Sequence, residues 1–294
     1  MPHLHFAKAY RQSAEIPPGF PSRCVFLIVL LIMLLTPRRQ SGAGNENGVS
    51  KMELKATKIS RQYRRQGKGT NIFTAVQETD LLLTSGKLVE IEGRSGSGKS
   101  TILNMMAGIL APTTGKIELD GQDLYAMSDK DLSMIRNHRI GMIPQGQTGL
   151  RALTVLENVL LPAMLYPQEP AGVHKEKKEG KKTSGENDLT ARALSLLEQV
   201  GIAHLKDAGP DELSGGELRR LAIARALIMD PGIILADEPT ADLDDENTRS
   251  VLSLLRKCAD EGRAVLLVTH ERDAADYADQ VFRMDKGVLS PVTV

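Results

Sequence analysis

The chain has few of the features that mark secreted, metal-stabilised, nucleic-acid-binding or repeat proteins. Its only cysteines, Cys24 and Cys258, are too few for a disulfide framework and lack the paired spacing of a zinc site. Neither charge is in excess, because 37 Lys and Arg balance 37 Asp and Glu, so no nucleic-acid or anionic-membrane surface is indicated. No repeat of solenoid length is present. We expect a reducing compartment, with Cys258 a buried structural thiol because it continues the apolar face of Val251 and Leu255.

Long hydrophobic runs are also missing. Residues 24–35 form an apolar segment with basic flanks, but a membrane-spanning helix needs about 20 residues. The segment is similar to a signal-peptide core, although no clear small-residue cleavage site follows it. A polar, glycine-rich linker at residues 41–48 leads to Met52, where strand-like alternation begins. Three interpretations of residues 1–51 stay open: a dispensable or disordered extension from an upstream start codon, a peripheral membrane anchor, or a true signal.

Residues 52–294 are predicted to form one nucleotide-binding domain, and 41% hydrophobic content can supply its core. A glycine-rich loop, residues 93–100, lies between a predicted strand, Leu88–Glu92, and a predicted helix, as a phosphate-binding loop requires. Its glycines let backbone N–H groups point at phosphate oxygens, and the helix N-terminus adds partial positive charge. Lys99 can bridge the β- and γ-phosphates of ATP, and the Ser100 hydroxyl can reach Mg²⁺. The predicted nucleotide-binding residues here are Gly93, Arg94, Ser95, Gly96, Ser97, Gly98, Lys99, Ser100 and Thr101.

Two carboxylates follow a second predicted strand. Residues 233–236 are a continuous apolar run, typical of a strand buried on both faces of a parallel sheet. Asp237 and Glu238 follow it, at the edge where open α/β sheets bind ligands. We expect Asp237 to hold Mg²⁺ through water and Glu238 to orient or deprotonate the attacking water. Without the phosphate loop, a solvated turn would explain the pair equally well.

A second anion site is predicted at residues 213–217, which read LSGGE. Ser214, Gly215 and Gly216 open a predicted helix, and small residues at a helix start expose backbone N–H groups. The first loop already has what is needed to bind ATP. A second site in the same chain is explained if it contacts a nucleotide held by another molecule.

In order and context these motifs resemble those of the ATP-binding-cassette family over nearly all of residues 52–294. The matching segments are the signature at 213–217, the carboxylate strand at 237–240, the D-loop at 241–244, the glutamine loop at 143–145, the strand with its switch histidine at 268–270, and the adenine-stacking aromatic, Tyr63.

The resemblance implies roles that composition does not show. Two subunits, a homodimer, would close head to tail around two ATP molecules. Separate membrane permease subunits would dock near Gln145 and the helical subdomain. Gln145 would contact Mg²⁺ and the attacking water, and His270 the γ-phosphate, so that Glu238, His270 and Gln145 are the expected catalytic residues. The metal would be held by Ser100, Gln145 and Asp237. The remaining nucleotide contacts implied by the family are Tyr63, Ser214, Gly215, Gly216, Glu217 and Asp244.

The implied fold is α/β, a P-loop NTPase cassette with a mostly parallel central sheet, an antiparallel β subdomain and a helical subdomain at about residues 128–225. The antiparallel portion implied by the resemblance is expected to include residues 116–120, and the residues themselves predict a helix at 246–259 and a strand at Ala264–Thr269. No membrane domain is predicted, so transport would place this subunit at the cytoplasmic face of the cell membrane.

Finer features resemble the exporter branch of lipoprotein-release and macrolide-efflux ATPases, namely residues 154–159 and 235–240. Residues 217–220 depart from the glutamine-rich sequence common in that branch. A lysine-rich segment at residues 166–188 is predicted to be a solvated insertion or, alternatively, a partner or lipid contact; it lacks the aromatics of a nucleic-acid site.

Three other functions compete with that of an exporter ATPase. A mechanical or regulatory cassette, such as a cell-division signalling partner, remains the main alternative. A DNA-repair cassette is disfavoured because the chain has neither a long heptad insertion nor zinc-type cysteine pairs. A nucleotide switch that never hydrolyses is disfavoured because Glu238 and His270 are both present.

Overall fold

The computed structural model describes residues 52–65, 71–146, 149–165 and 184–292. The strands are β1 (Glu53–Arg65), β2 (Asn71–Thr84), β3 (Leu88–Glu92), β4 (Thr114–Leu119), β5 (Gln122–Asp123), β6 (Ile140–Ile143), β7 (Ile233–Asp237), β8 (Ala264–Thr269), β9 (Gln280–Asp285) and β10 (Val288–Pro291). The α-helices are α1 (Lys99–Met106), α2 (Asp129–His138), α3 (Val155–Leu165), α4 (Ser184–Gln199), α5 (Gly215–Leu227) and α6 (Asp245–Asp260). Short 3₁₀ turns cover Leu124–Ala126, Ala203–Leu205, Pro210–Glu212 and Arg272–Tyr277.

A six-stranded sheet in the order β10-β9-β3-β8-β7-β6 forms the centre of the fold. Its strands from β9 to β6 are parallel, and only the edge strand β10 is antiparallel. Every residue of β7 and β8 is buried, as their uninterrupted apolar sequences predict. The predicted mostly parallel central sheet is confirmed.

A second, antiparallel sheet has the order β2-β1-β4-β5. It contains residues 116–119 in β4, which pairs with β1, as the sequence predicted for this region. The β1–β2 register shifts three times between Ala56 and Gln62, so β1 bends as bulged strands do. Strands β1 and β2 of this sheet contact the first helix, α1.

The central sheet separates two hydrophobic cores, because neighbouring residues of a strand point to opposite faces. Ile234 and Ala236 pack with α3 to α6, whereas Ile233 and Leu235 pack with α1 and the antiparallel sheet. Cys258 is buried in the first core, and burial raises the pKa of its thiol to about 11. The prediction of a buried structural thiol is confirmed.

The helices α2 to α4 lie within the predicted helical range of 128–225 and α5 ends two residues beyond it, but that range also includes β6. This four-residue strand pairs with β7 in the central sheet, so the helical part is interrupted by a sheet strand. Residues 1–51 and 166–183 lie outside the described residues, and residues 184–188, which the sequence assigns to a solvated insertion, open α4 instead. Among the described residues, no helix is both long and apolar enough to span a bilayer.

Candidate functional site

The loop between β3 and α1 is built so that only glycine fits at its two closest approaches. A Cβ on Gly93 would lie 2.4 Å from the Met284 carbonyl oxygen, and one on Gly98 would lie 2.4 Å from that of Ala75. Gly98 also has a φ of 114° at the N-cap of α1, in the left-handed region. The loop is thus held between β2 and the β9–β10 hairpin.

Lys99 begins α1 and points back into this loop. Its side chain is only 5% exposed, and Nζ donates to the carbonyl oxygens of Gly93 at 2.7 Å and Arg94 at 3.3 Å. Arg94, Ser95 and Gly96 are exposed at the tip of the loop. The buried Ser97 hydroxyl has no hydrogen-bond partner in the described part of the chain. An ammonium group and an unused hydroxyl beside a glycine loop suit an anionic ligand such as a polyphosphate.

Asp237 ends β7 next to the start of α1. Its Oδ1 accepts a hydrogen bond of 3.0 Å from Ser100 Oγ. Burial, and to a smaller extent the charge of Glu238, raise the pKa of Asp237. A hydroxyl and a carboxylate side by side are the oxygen ligands that Mg²⁺ prefers, together with water and substrate phosphates. Among the described residues, no group of three or more acidic, histidine or cysteine side chains could hold a metal ion by itself.

Glu238 follows Asp237 and is held on both carboxylate oxygens. Oε1 lies 3.1 Å from Lys99 Nζ, and Oε2 lies 2.7 Å from Nδ1 of the His270 ring. The backbone N–H of His270 also donates to Oε2, at 3.2 Å. Glu238 has a φ of 46°, and its own N–H donates to Val268 at the end of β8. The His270 side chain is 57% exposed. The structure therefore brings Lys99, Ser100, Asp237, Glu238 and His270 together at one sheet edge.

The signature segment forms the exposed start of α5. Ser214 is the N-cap, and its N–H and hydroxyl both donate to Glu217 Oε2 at 2.8 Å. These bonds lower the pKa of Glu217. Ser214 and Gly215 are exposed, whereas Gly216 is buried with Asn247 Oδ1 2.5 Å from where its Cβ would be. The N-cap and the first residue of the signature helix thus lie at the surface of the chain.

The other predicted residues share no hydrogen bond with the two carboxylates in the part of the chain that the structure describes. Gln145 is exposed in the loop after β6. The ring of Tyr63 is partly exposed on β1, with the Arg61 guanidinium 4.7 Å from its centroid, so one face of the ring is covered. Asp244 caps α6 by accepting from Asn247 N–H at 2.8 Å, and the bonds from Asn247 lower its pKa. None of the hydrogen bonds among described residues joins these three side chains to the phosphate-binding loop.

Arg219 is one buried residue near this site that sequence reasoning did not identify. It lies on α5 and donates to backbone carbonyls of the glutamine loop and the D-loop. Two features of the sequence could have drawn attention to Arg219. It belongs to the segment that departs from the glutamine-rich pattern, and it places a charge between the buried Leu218 and Leu221. Its partners could not be identified without the fold.

Comparison with known proteins agrees with this arrangement. The family model described as ABC transporter matches residues 76–241. The lipoprotein-releasing system ATP-binding protein LolD of Psychrobacter arcticus is 36% identical over 235 residues, covering 80% of this chain and 96% of that protein. The macrolide export ATP-binding/permease protein MacB of Chlorobaculum tepidum is 35% identical over 236 residues, which cover 80% of this chain but only 33% of that protein.

Solved structures give the same result. The dimeric bacterial ABC transporter cassette MJ0796 has a TM-score of 0.69 at 32% identity and covers 82% of this chain and 99% of its own. Its dimeric post-hydrolysis state, bound to ADP and Pi, has a TM-score of 0.67 at the same identity and coverage. The chain therefore belongs to the ABC transporter family, as an α/β P-loop ATPase cassette related to the ATP-binding parts of LolD and MacB.

Proposed function

We propose that this chain is the ATP-hydrolysing subunit of an ABC exporter. Two copies close around two ATP molecules with Mg²⁺ and drive separate permease subunits at the cytoplasmic face of the membrane. The observation that carries this proposal is the Glu238 carboxylate, held between Lys99 and His270 beside the Ser100–Asp237 pair. LolD is named as part of a lipoprotein-releasing system and MacB as a macrolide exporter, which supports export as the class of work.

In this mechanism Lys99 changes partners when ATP binds. Its Nζ now donates to two loop carbonyls and lies 3.1 Å from Glu238. Phosphate oxygens offer the ammonium stronger, charge-assisted bonds than the carbonyls do. When Lys99 turns to them, Oε1 of Glu238 is freed to accept a proton from the attacking water.

His270 keeps the carboxylate in place during this exchange. Its backbone N–H and Nδ1 both reach Oε2, so the carboxyl group stays oriented while Oε1 is released. The exposed part of the ring is available to the γ-phosphate. Mg²⁺, held by Ser100 and Asp237 with Gln145 nearby, would neutralise the charge that develops on the phosphates.

The signature helix supplies the reason for a dimer. Ser214 and Gly215 are exposed at the N-terminus of α5, where backbone N–H groups and the helix dipole favour an anion. The γ-phosphate held by Lys99 of another subunit is such an anion. ATP then favours the closed pair because only that state gives its γ-phosphate both sets of partners.

The proposal is tested with Glu238→Gln, which keeps the shape of the side chain but removes the base. We expect hydrolysis to fall by at least about 100-fold, the lower range for loss of a general base. The ATP complex should accumulate as a dimer, measured by size-exclusion chromatography with light scattering. Glu198→Gln, on the exposed face of α4, is the matched control and should behave as the unaltered chain does.

Full turnover by Glu238→Gln would contradict the role given to this carboxylate. Hydrolysis lost without an ATP-dependent dimer would contradict the two-subunit mechanism. To test export, the chain is purified from membranes of its own source. Recovery with integral-membrane permease subunits supports the exporter assignment, and recovery with a cell-wall or division complex contradicts it.

A further inference from the structure

Arg219 is a charged side chain buried among backbone carbonyl groups. It lies on α5, and only 6% of the residue is exposed. Nη1 donates to the carbonyl oxygen of Gly146 at 2.8 Å and contacts that of Pro144 at 3.5 Å, while Nη2 contacts that of Ala241 at 3.4 Å. The guanidinium thus has one short hydrogen bond and two longer contacts, shared between two different loops.

Each of the two loops adjoins a different residue of the proposed reaction site. Pro144 and Gly146 are the residues on either side of Gln145, directly after β6. Ala241 lies in the turn that follows Glu238, and its N–H donates to the Glu238 carbonyl at 3.3 Å. One side chain therefore links the main chain around Gln145 to the main chain that begins at Glu238.

The surroundings of Arg219 disfavour its charged form unless hydrogen bonds compensate for the loss of water. Burial lowers the pKa of Arg219, and the nearby charge of Asp242 acts in the opposite direction. Burying a cation is costly unless charge-assisted hydrogen bonds replace water, and the carbonyl oxygens provide those bonds here. A guanidinium places donors on two nitrogens held apart in a rigid plane, whereas a lysine or a glutamine offers a single donor nitrogen, which cannot occupy both of the positions that Nη1 and Nη2 hold here.

We propose that Arg219 is a positioning residue that couples the glutamine loop to the D-loop turn and so fixes Gln145 relative to Glu238. This inference deepens the proposed function and rests on the roles given there to these two residues. Because α5 also begins at the signature, the helix that would contact the partner's ATP carries the link. A movement of the glutamine loop, where permease subunits would dock, is thereby transmitted to the turn after the hydrolytic carboxylate.

The first test is hydrogen exchange measured by mass spectrometry on the full chain, which needs no catalysis. Arg219→Met keeps much of the side-chain volume and removes every donor. We expect amide exchange to become faster both around Gln145 and in residues 239–243. Arg192→Met is the matched control, because Arg192 also donates to two carbonyls of the same region, those of Leu227 and Ile228, at the far end of α5. It should leave both loops unchanged.

The second test measures the metal. With ATP bound in a Glu238→Gln background, the affinity for Mn²⁺, followed by electron paramagnetic resonance, should fall about tenfold in Arg219→Met, the lower range for loss of an outer-shell contact. ATP affinity measured without a divalent ion should not change, because Arg219 makes no contact with the Lys99 loop among the described residues. Arg219→Lys keeps the charge and should keep amide exchange slow in one of the two loops but not in both. This variant provides a folded chain for the test if methionine destabilises the protein.

Unchanged exchange in both loops of Arg219→Met, or equal acceleration in Arg192→Met, would overturn the inference. A different result would contradict the proposed function, namely that Glu238→Gln forms no ATP-dependent dimer. A normal dimer combined with unchanged loop exchange in Arg219→Met contradicts the coupling alone.

Discussion

Glu90 gives a prediction about stability that can be worked out from its surroundings. This β3 residue is 1% exposed, lies between Leu267 of β8 and Val281 of β9, and has no hydrogen-bond partner on either carboxylate oxygen among the described residues. Burial, helped by the charge of Glu92, raises the pKa of Glu90 from its ordinary 4.5 to about 7. Between pH 4.5 and about 7, Glu90 is therefore protonated in the folded chain and ionised in the unfolded chain.

The free energy of unfolding should fall as the pH rises through this window. The contribution of Glu90 is fully present below pH 4.5 and is lost as the pH passes about 7. At about 1.4 kcal/mol for each pH unit of the difference, the loss approaches about 3 kcal/mol. Glu90→Gln stays neutral at every pH, so its stability relative to the unaltered chain should increase by about 3 kcal/mol between pH 4.5 and pH 8.

The assay is urea unfolding of both chains at a series of pH values, with the difference in unfolding free energy plotted against pH. Taking the difference removes the titration of all other groups. Glu198→Gln, at an exposed position, is the control and should give a flat line. A flat line for Glu90→Gln would refute the reasoning, because it would mean that the buried carboxyl group keeps its ordinary pKa.

Two further predictions concern the phosphate-binding loop. Lys99→Ala should weaken ATP binding, measured by nucleotide titration, and should also lower the melting temperature because Glu238 loses its buried cation, a change worth about 3–5 kcal/mol. Adding Glu238→Gln should restore much of the stability but not the affinity, and recovery of both would contradict the phosphate contact. Gly98→Ala should destabilise the chain more than Gly96→Ala, since both have positive φ but only at Gly98 would the Cβ strike a backbone carbonyl. Equal melting temperatures for the two variants would contradict the close approach.

The strands and helix around the candidate site could be predicted from the sequence because their residues belong to local motifs. The strand before the phosphate loop, the apolar strand before Asp237, and the helix opened by Ser214 each have a pattern that is complete within a few residues. The structure confirms these elements as β3, β7 and α5. The roles assigned to individual site residues remain proposals.

Other elements could not be predicted because their identity depends on partners distant in sequence. β6 is only four residues long and becomes a sheet strand by pairing with β7. β9 alternates irregularly between exposed and buried residues, which gave no clear strand signal. The contacts of Arg219 join residues 146 and 241, and no local pattern indicates that these loops meet at one side chain.

The order of strands in the central sheet also determines when the ATP site can form during synthesis. The antiparallel sheet uses strands that all lie within residues 53–123, so it can assemble early. By contrast β3, which leads into the phosphate loop, pairs only with β8 and β9, and neither exists before residue 264 has been translated. Until then β3, the strand that leads into the loop with Gly93 and Lys99, has no neighbour in its sheet. The nascent chain therefore gains the frame of its ATP site only when its last strands emerge, and a ribosome that stops before residue 264 releases a chain that cannot build it.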